Sequence, residues 1–330
     1  MRDKLIKFER PTKATDVVDV QTLKFPLLAL PKYDGVYANN IEGKLLGRSL
    51  KAFKNKWITK QLSKPEYLGF TGELIVGNDF SADDLCRNTT SHVNTIDKEN
   101  WSYTWLLFDY VHEDVINLPY KERLSRLKQA VERLSEESKA NLCLVPYTAV
   151  ESPQSVVEAY NDNLDKGLEG LILRCPVGRY KNNRSTLKEQ LFLRMKPQSD
   201  KEAIIISVFE AEANNNEAVT NELGYTARSS HKEFKEGNGM VGSFACVDVE
   251  SGRIITVGAG KLTHDERKDL FINQPIGSII KYRSMDVGIK DAPRFARFYS
   301  FRAIEDMDDS LVEKTEKIIL DIKAGVYGNE

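Results

Sequence analysis

The sequence predicts an α+β protein of two domains, the second a small β-barrel. Three observations carry this. A chain of 330 residues and 37.5 kDa suits two domains better than one or three. Up to residue 197, apolar strand-like runs outnumber helical patterns but are interleaved with them. Beyond residue 197 the chain turns to short strands punctuated by glycine.

Taken in order, strand-like runs fall at 27–30, 74–76, 103–111, 143–148, 170–174, 191–195 and 203–209. Residues 120–138, YKERLSRLKQAVERLSEES, place Leu124, Leu127, Val131 and Leu134 on one face and predict a helix. A second helix is expected over 152–166, where Ser152 and Pro153 form a good start. Pro197 and the polar string around it mark the boundary, giving domains 1–197 and 198–305. The barrel strands are expected at 203–209, 241–249, 253–259 and 277–283. Between the first two lies a long polar insertion, 211–239, of a length rarely left structureless without a purpose. The tail, 306–330, holds an amphipathic helix over 309–324. Ser310 and Glu313 make a capping box there, and Leu311, Ile318, Ile319 and Ile322 form an apolar face suited to packing on the barrel.

Composition excludes several classes. Hydrophobic content of 41% and charged content of 29% are those of a soluble globular chain. No run approaches twenty apolar residues, so no membrane helix is expected. The start, MRDKLIKFER, lacks an apolar signal core, and a cytoplasmic protein is expected, nuclear if its host is a eukaryote. Cys86, Cys143, Cys175 and Cys246 form no C-x-x-C pair, and the four histidines are scattered, which argues against disulfide frames and zinc. Net charge is −2, yet 179–201 reads RYKNNRSTLKEQLFLRMKPQSDK, with seven basic residues opposed only by Glu189 and Asp200. That patch is either a solvated face or a phosphate-binding one.

Chemistry is suggested by five strings. In 27-LLALPKYDGVYANN-40, Lys32 ends an apolar strand just before an Asp-Gly turn. A lysine at a buried edge is a candidate nucleophile, because burial and nearby cations free its amine. In 70-FTGELIVG-77, Glu73 sits at a strand mouth, where a carboxylate suits ribose hydroxyls or is merely a strand end. In 105-WLLFDYV-111, Phe108 is either core or a stacking platform for a purine. In 167-GLEGLILR-174, Glu169 precedes a strand where a hard cation would bind. In 192-FLRMKP-197, Lys196 closes the basic run and would hold a phosphate.

In this order the strings resemble the signature motifs of covalent nucleotidyltransferases, and more narrowly the small ATP-dependent DNA ligases of chloroviruses and phages. The resemblance extends through 180-YKNNRSTLKE-189, 224-GYTARSSHK-232 and 291-DAPRFARFYSFR-302, and covers about residues 25 to 305. It implies a nucleotidyltransferase (adenylation) domain followed by an OB-fold domain, with 211–239 as a latch that closes on duplex DNA. It implies ATP and Mg²⁺ as cofactors, Mn²⁺ as a substitute, and nicked duplex DNA as the partner of a monomeric enzyme. By the same resemblance Lys32 takes AMP, Glu73 holds the ribose, Phe108 stacks on adenine and Glu169 binds the metal. Arg194 and Lys196 then contact the nucleotide phosphates, Arg48 and Arg184 hold the 5′-phosphate of a nick, and Arg294 and Arg302 visit the triphosphate.

Four positions depart from the family pattern. Tyr37 stands where an arginine is usual, and Arg194 where a lysine is usual. The string D-G-E becomes Thr71-Gly72-Glu73, and the terminal P-R-x-P becomes Pro293-Arg294-Phe295-Ala296. Arg194 keeps the charge but cannot donate a proton in acid catalysis. The alternatives are a GTP-dependent capping guanylyltransferase, an RNA ligase, and a nick-binding module with a dead site. An NAD⁺-dependent ligase would need zinc cysteines and an added N-terminal domain.

Overall fold

The computed structural model describes residues 6–81, 84–197, 199–285, 293–307 and 309–327. The chain divides into two compact units, 1–196 with 222–225, and 197–221 with 226–330.

In the first unit the strands are β1 (Thr12–Lys13), β2 (Thr15–Asp16), β3 (Leu27–Lys32), β4 (Val36–Ile41), β5 (Lys44–Gly47), β6 (Phe70–Val76), β7 (Tyr103–Tyr110), β8 (Leu142–Leu144), β9 (Thr148–Val150), β10 (Gly170–Arg174), β11 (Asn183–Arg184) and β12 (Phe192–Met195). The helices are α1 (Lys56–Leu62), α2 (Leu85–Asn94), α3 (Tyr120–Glu132), α4 (Glu136–Lys139) and α5 (Pro153–Asp165). Two five-stranded sheets result, ordered β2-β12-β10-β3-β9 and β5-β4-β6-β7-β8. Strand alternation distributes the apolar side chains of β3 between two cores. Leu27 and Ala29 pack with Val156 of α5, whereas Leu28 and Leu30 join the large core built on the second sheet.

Several elements are hidden from pattern reading by polar residues doing apolar duty. The stretch 36–41 reads as a polar tail, but Asn39 and Asn40 are buried in β4, and the Asn40 amide donates to the Leu62 and Lys64 carbonyls at 2.8 and 3.0 Å. Helix α2 is masked because the middle of its inner face is Thr89, between Leu85 and Val93. Helix α1 is only seven residues long, and Asn55 caps it through the Ile58 N–H at 2.8 Å. The helix expected over 120–138 breaks after Glu132, because Ser135 caps a separate short turn by accepting from the Ser138 N–H at 3.2 Å.

The second unit contains β13 (Ser199–Asn214), β14 (Ala218–Thr220), β15 (Thr226–Arg228), β16 (Lys235–Asp248), β17 (Ile254–Gly258), β18 (Ile279–Met285) and β19 (Arg294–Phe301), with helices α6 (His264–Asn273) and α7 (Asp309–Lys323). Strands β13-β16-β17-β19-β18 close a barrel around Ile205, Phe244, Val257, Ile280, Tyr282 and Phe298. Helix α7 packs Leu311, Ile318, Ile319 and Ile322 against Ile204, Val247 and Ile279 of the barrel. The 211–239 insertion is not a loop. It lengthens β13 and β16 and adds the antiparallel pair β14–β15. Its polarity hid this, since a ribbon exposed on both faces has no alternation to read.

Gly170 is where sheet geometry leaves no choice of residue. Its φ is +144°, and a Cβ there would lie 2.2 Å from the Met195 carbonyl oxygen. Gly170→Ala should destabilise the first unit by about 2–4 kcal/mol, read as a lower urea midpoint at unchanged slope.

Candidate active site

Lys32 is placed by pairing. Strand β3 lies antiparallel to β10 with Lys32 opposite Gly170, and the Glu169 N–H donates to the Lys32 carbonyl at 3.0 Å. This register brings the Lys32 ammonium onto the Glu169 carboxylate, where they form a hydrogen-bonded ion pair. Helix α5 fixes the other side, its Asn163 amide donating to the Gly170 carbonyl at 3.0 Å. The chain then crosses from the first sheet to the second over 33–35. Gly35 is needed there for space and not for an unusual φ, since a Cβ would lie 2.6 Å from the Leu74 carbonyl oxygen and 2.8 Å from Cγ of Glu73.

Between the two sheets of this unit is a cavity of about 400 Å³. Lys32, Arg48, Glu73, Phe108, Arg184 and Arg194 line it, so six of the residues singled out in the sequence meet at one place. Glu73 projects from β6 beside Tyr37 of β4 in the ladder. Burial pushes its carboxyl up to about 7, and the negative charges of Glu169 and Asp34 add to this while Arg48 and Lys32 oppose it. Burial likewise raises Glu169, against the pull of Lys32. Phe108 is half-buried on β7, with its ring centroid 6.3 Å from that of Tyr37.

The next residue, Asp109, belongs to a buttress. It accepts from Arg123 at 2.8 and 3.1 Å and from Arg174 at 2.9 Å, with all three side chains buried. Burial would raise the Asp109 carboxyl, but the two guanidiniums hold it below the usual carboxylate range. Arg174 lies 3.9 Å over the Tyr120 ring and 4.4 Å over that of Phe192, and it lines the cavity. It was missed in the sequence, although it ends the very string that contains Glu169.

The phosphate-binding arginines expected from the sequence share a second missed feature, the strap formed by β1 and β2. Arg48 donates through Nη1 to the Thr12 carbonyl at 3.3 Å, and Arg184 through Nη1 to that of Ala14 at 2.8 Å. Arg194 grips the Asp16 carboxylate at 2.7 and 3.2 Å. Strands of two residues carry no readable period. Arg48 also lies 4.3 Å over the ring of Tyr37, so the aromatic that replaces the usual arginine supports the neighbouring one. Lys196 follows β12, its ammonium pushed below the usual range by burial and by Arg194. Arg294 begins β19 of the second unit, and Arg302 follows that strand and pairs with Glu202 at 3.5 Å.

No group of three or more metal-type ligands occurs among the described residues. The donor set suits Mg²⁺ nonetheless, because this ion commonly takes one or two carboxylates and fills its shell with water and substrate phosphate. Glu169, which lies within the charge field of Lys32, Lys196 and Arg194, would be such a carboxylate.

Two family models match the chain. The ATP dependent DNA ligase domain matches residues 51–196, and the DNA ligase OB-like domain matches residues 236–302. The chain belongs to the ATP-dependent DNA ligases. The ligase is therefore a nucleotidyltransferase domain joined to an OB-like domain. Among solved structures it is similar to a Lig E DNA ligase, at 19% identity over 90% of this chain and 100% of that one with a TM-score of 0.65, a likeness of fold. It is also similar to Chlorella virus DNA ligase-adenylate, at 26% identity over 89% of this chain and 99% of that one with a TM-score of 0.49. The ATP-dependent ligase of bacteriophage T7 matches at 16% identity over 89% and 99% of the two chains, with a TM-score of 0.47. No curated protein matches the chain. No helix among the described residues is long and apolar enough to cross a membrane.

The raised Glu73 carboxyl has a consequence for stability. Its folded proton affinity exceeds its unfolded one, so its contribution is present below the ordinary carboxylate range and is lost as pH rises through about 7. Glu73→Gln should therefore stabilise the nucleotide-free protein at pH 8 by about 1–3 kcal/mol and by much less at pH 5. Melting temperatures at the two pH values would show it.

Proposed function

We propose that this ligase seals nicks in duplex DNA through a lysyl-AMP on Lys32, acting as a monomer with Mg²⁺. The observation that supports this most directly is the Lys32–Glu169 pair at the wall of a cavity that Arg48, Arg184 and Arg194 also line.

In the first step the Lys32 amine, having lost its proton, attacks the α-phosphorus of ATP, and the bond to pyrophosphate breaks. Glu169 already receives a hydrogen bond from that amine, so it orients the nitrogen before the nucleotide arrives. Phe108 offers a face for adenine and Glu73 an acceptor for the ribose hydroxyls. When bound, the divalent cation would supply countercharge to the phosphates, with Glu169 as its protein ligand. In the second step the nick 5′-phosphate displaces Lys32 from the adenylate. In the third, the 3′-hydroxyl attacks that phosphate and AMP leaves. Each step asks for in-line placement and fixed positive charge more than for further covalent chemistry. Arg194 and Lys196 are assigned to the nucleotide phosphates, and Arg48 and Arg184 to the nick 5′-phosphate. For Arg294 and Arg302 the assignment to the triphosphate rests on the terminal motif alone.

The test is label transfer from α-labelled ATP, GTP and NAD⁺ in separate reactions with Mg²⁺, read on the denatured chain. ATP should label the protein, nicked DNA should discharge the label, and Lys32→Ala should abolish it. Label from GTP would point to a capping enzyme instead, and no label at all to a nick-binding protein. The nick assignments have their own signature. Arg48→Ala and Arg184→Ala should each slow sealing by about tenfold or more, and should slow it further than they slow self-adenylation. Single-turnover assays of the two reactions would separate the effects.

A further inference from the structure

We propose that Asp16 is a positioning residue for Arg194, and that it makes an arginine serviceable where lysine is the usual nucleotide contact. The proposal rests on reading the cavity as the nucleotide site, and it deepens that reading.

The chemistry of the two cations differs. A lysine ammonium is a compact point charge whose donors rotate, so it needs little orientation. A guanidinium is a planar fork whose donors are useful only when the plane is correctly set. Asp16 sets it. Its carboxylate engages Nε and Nη2 of Arg194 at 2.7 and 3.2 Å. Nη1 is left without a hydrogen bond among the described residues, on a side chain that lines the cavity. A two-point grip fixes the guanidinium plane as one hydrogen bond cannot.

Backbone register makes this pairing more than a chance surface contact. Strands β2 and β12 run parallel with Asp16 directly beside Arg194, and the Val17 N–H donates to the Arg194 carbonyl at 2.9 Å. The Asp16 carboxyl is held below its usual range despite partial burial, chiefly by Arg194, so it stays ionised at neutral pH. The strap holds Arg48 and Arg184 through the backbone carbonyls of Thr12 and Ala14, which almost any residue would present. To these three arginines it offers a single side chain, that of Asp16, and this contact is open to deletion by one substitution.

The test is a double-mutant cycle on self-adenylation, measured in single turnover over a range of ATP concentrations. Asp16→Ala should lower the maximal rate by about tenfold or more, with a smaller change in the half-saturating ATP concentration. Asp16→Asn, which keeps one acceptor, should fall between the two. Arg194→Lys sets its own baseline, and on that background Asp16→Ala should cost less than about twofold, because an ammonium has no plane to hold. An equal loss on both backgrounds would overturn the proposal in favour of a purely structural strap. No loss from Asp16→Ala would also overturn it. So would tighter ATP saturation, which would make Asp16 a competitor of the phosphates. Thermal melts of every variant identify losses due to unfolding, and the Asp16→Asn rate then decides. If the unaltered protein takes no label from ATP, the nucleotide-site reading itself has failed, an outcome distinct from all of these.

Discussion

The pairing of Lys32 with Glu169 is the constraint on which the rest of the first unit depends. An ammonium and a carboxylate at a half-buried strand end each carry a desolvation cost, and only close mutual contact offsets it. That contact requires β3 and β10 to lie side by side in one register, which in turn requires Gly170 to pass against the Met195 carbonyl. The same closeness seats β12 beside β10, and so brings Arg194 to the cavity wall and Lys196 within the charge field of Glu169 and Lys32. The lysine proposed as the nucleophile is thus built into the sheet at the point where the chain leaves it for the second sheet.

Charge balance explains much of the remaining arrangement. The cavity gathers Arg48, Arg174, Arg184, Arg194 and Lys32, which would repel one another if nothing opposed them. Each has a local answer. Asp109 neutralises Arg174 from behind, Asp16 holds Arg194, Glu169 takes Lys32, and backbone carbonyls of the strap receive Arg48 and Arg184. Glu73 is the exception, because burial, helped by the charges of Glu169 and Asp34, raises its proton affinity against the pull of Arg48 and Lys32. A nucleotide bound as proposed would bring several negative charges to cations that are already fixed in place.

What the sequence made legible follows from the strength of its local signals. The apolar runs of β3, β7, β10 and β12 and the amphipathic faces of α3, α5 and α7 announced themselves. The motif strings drew attention to residues that the fold brings to one cavity from both sheets. Three kinds of feature were silent. Buried asparagines disguised β4, and a buried threonine disguised α2; the Asn40 amide reaches carbonyls more than twenty residues away, and Thr89 accepts from the Val76 N–H of β6, contacts that no linear pattern shows. The strap was too short to show a period. Arg174 ends its string with no readable role, since nothing in a linear reading says that Asp109, 65 residues away, anchors it.

Two of the departures from the family pattern are met by contacts with their neighbours. Tyr37 replaces a cation, yet its ring lies under Arg48, so the position still shapes the local charge through a neighbour. Arg194 replaces a more adaptable cation, and a carboxylate stands beside it that removes the freedom a guanidinium cannot afford. In both cases the altered residue keeps its place in the backbone ladder, and what changes is which side chain carries the charge or sets its direction. Residue identity at a single motif position is therefore an incomplete guide to what surrounds the cavity. The stronger guide is whether a cation of defined orientation still faces the cavity, and that depends on contacts such as Asp16 that lie outside the motifs.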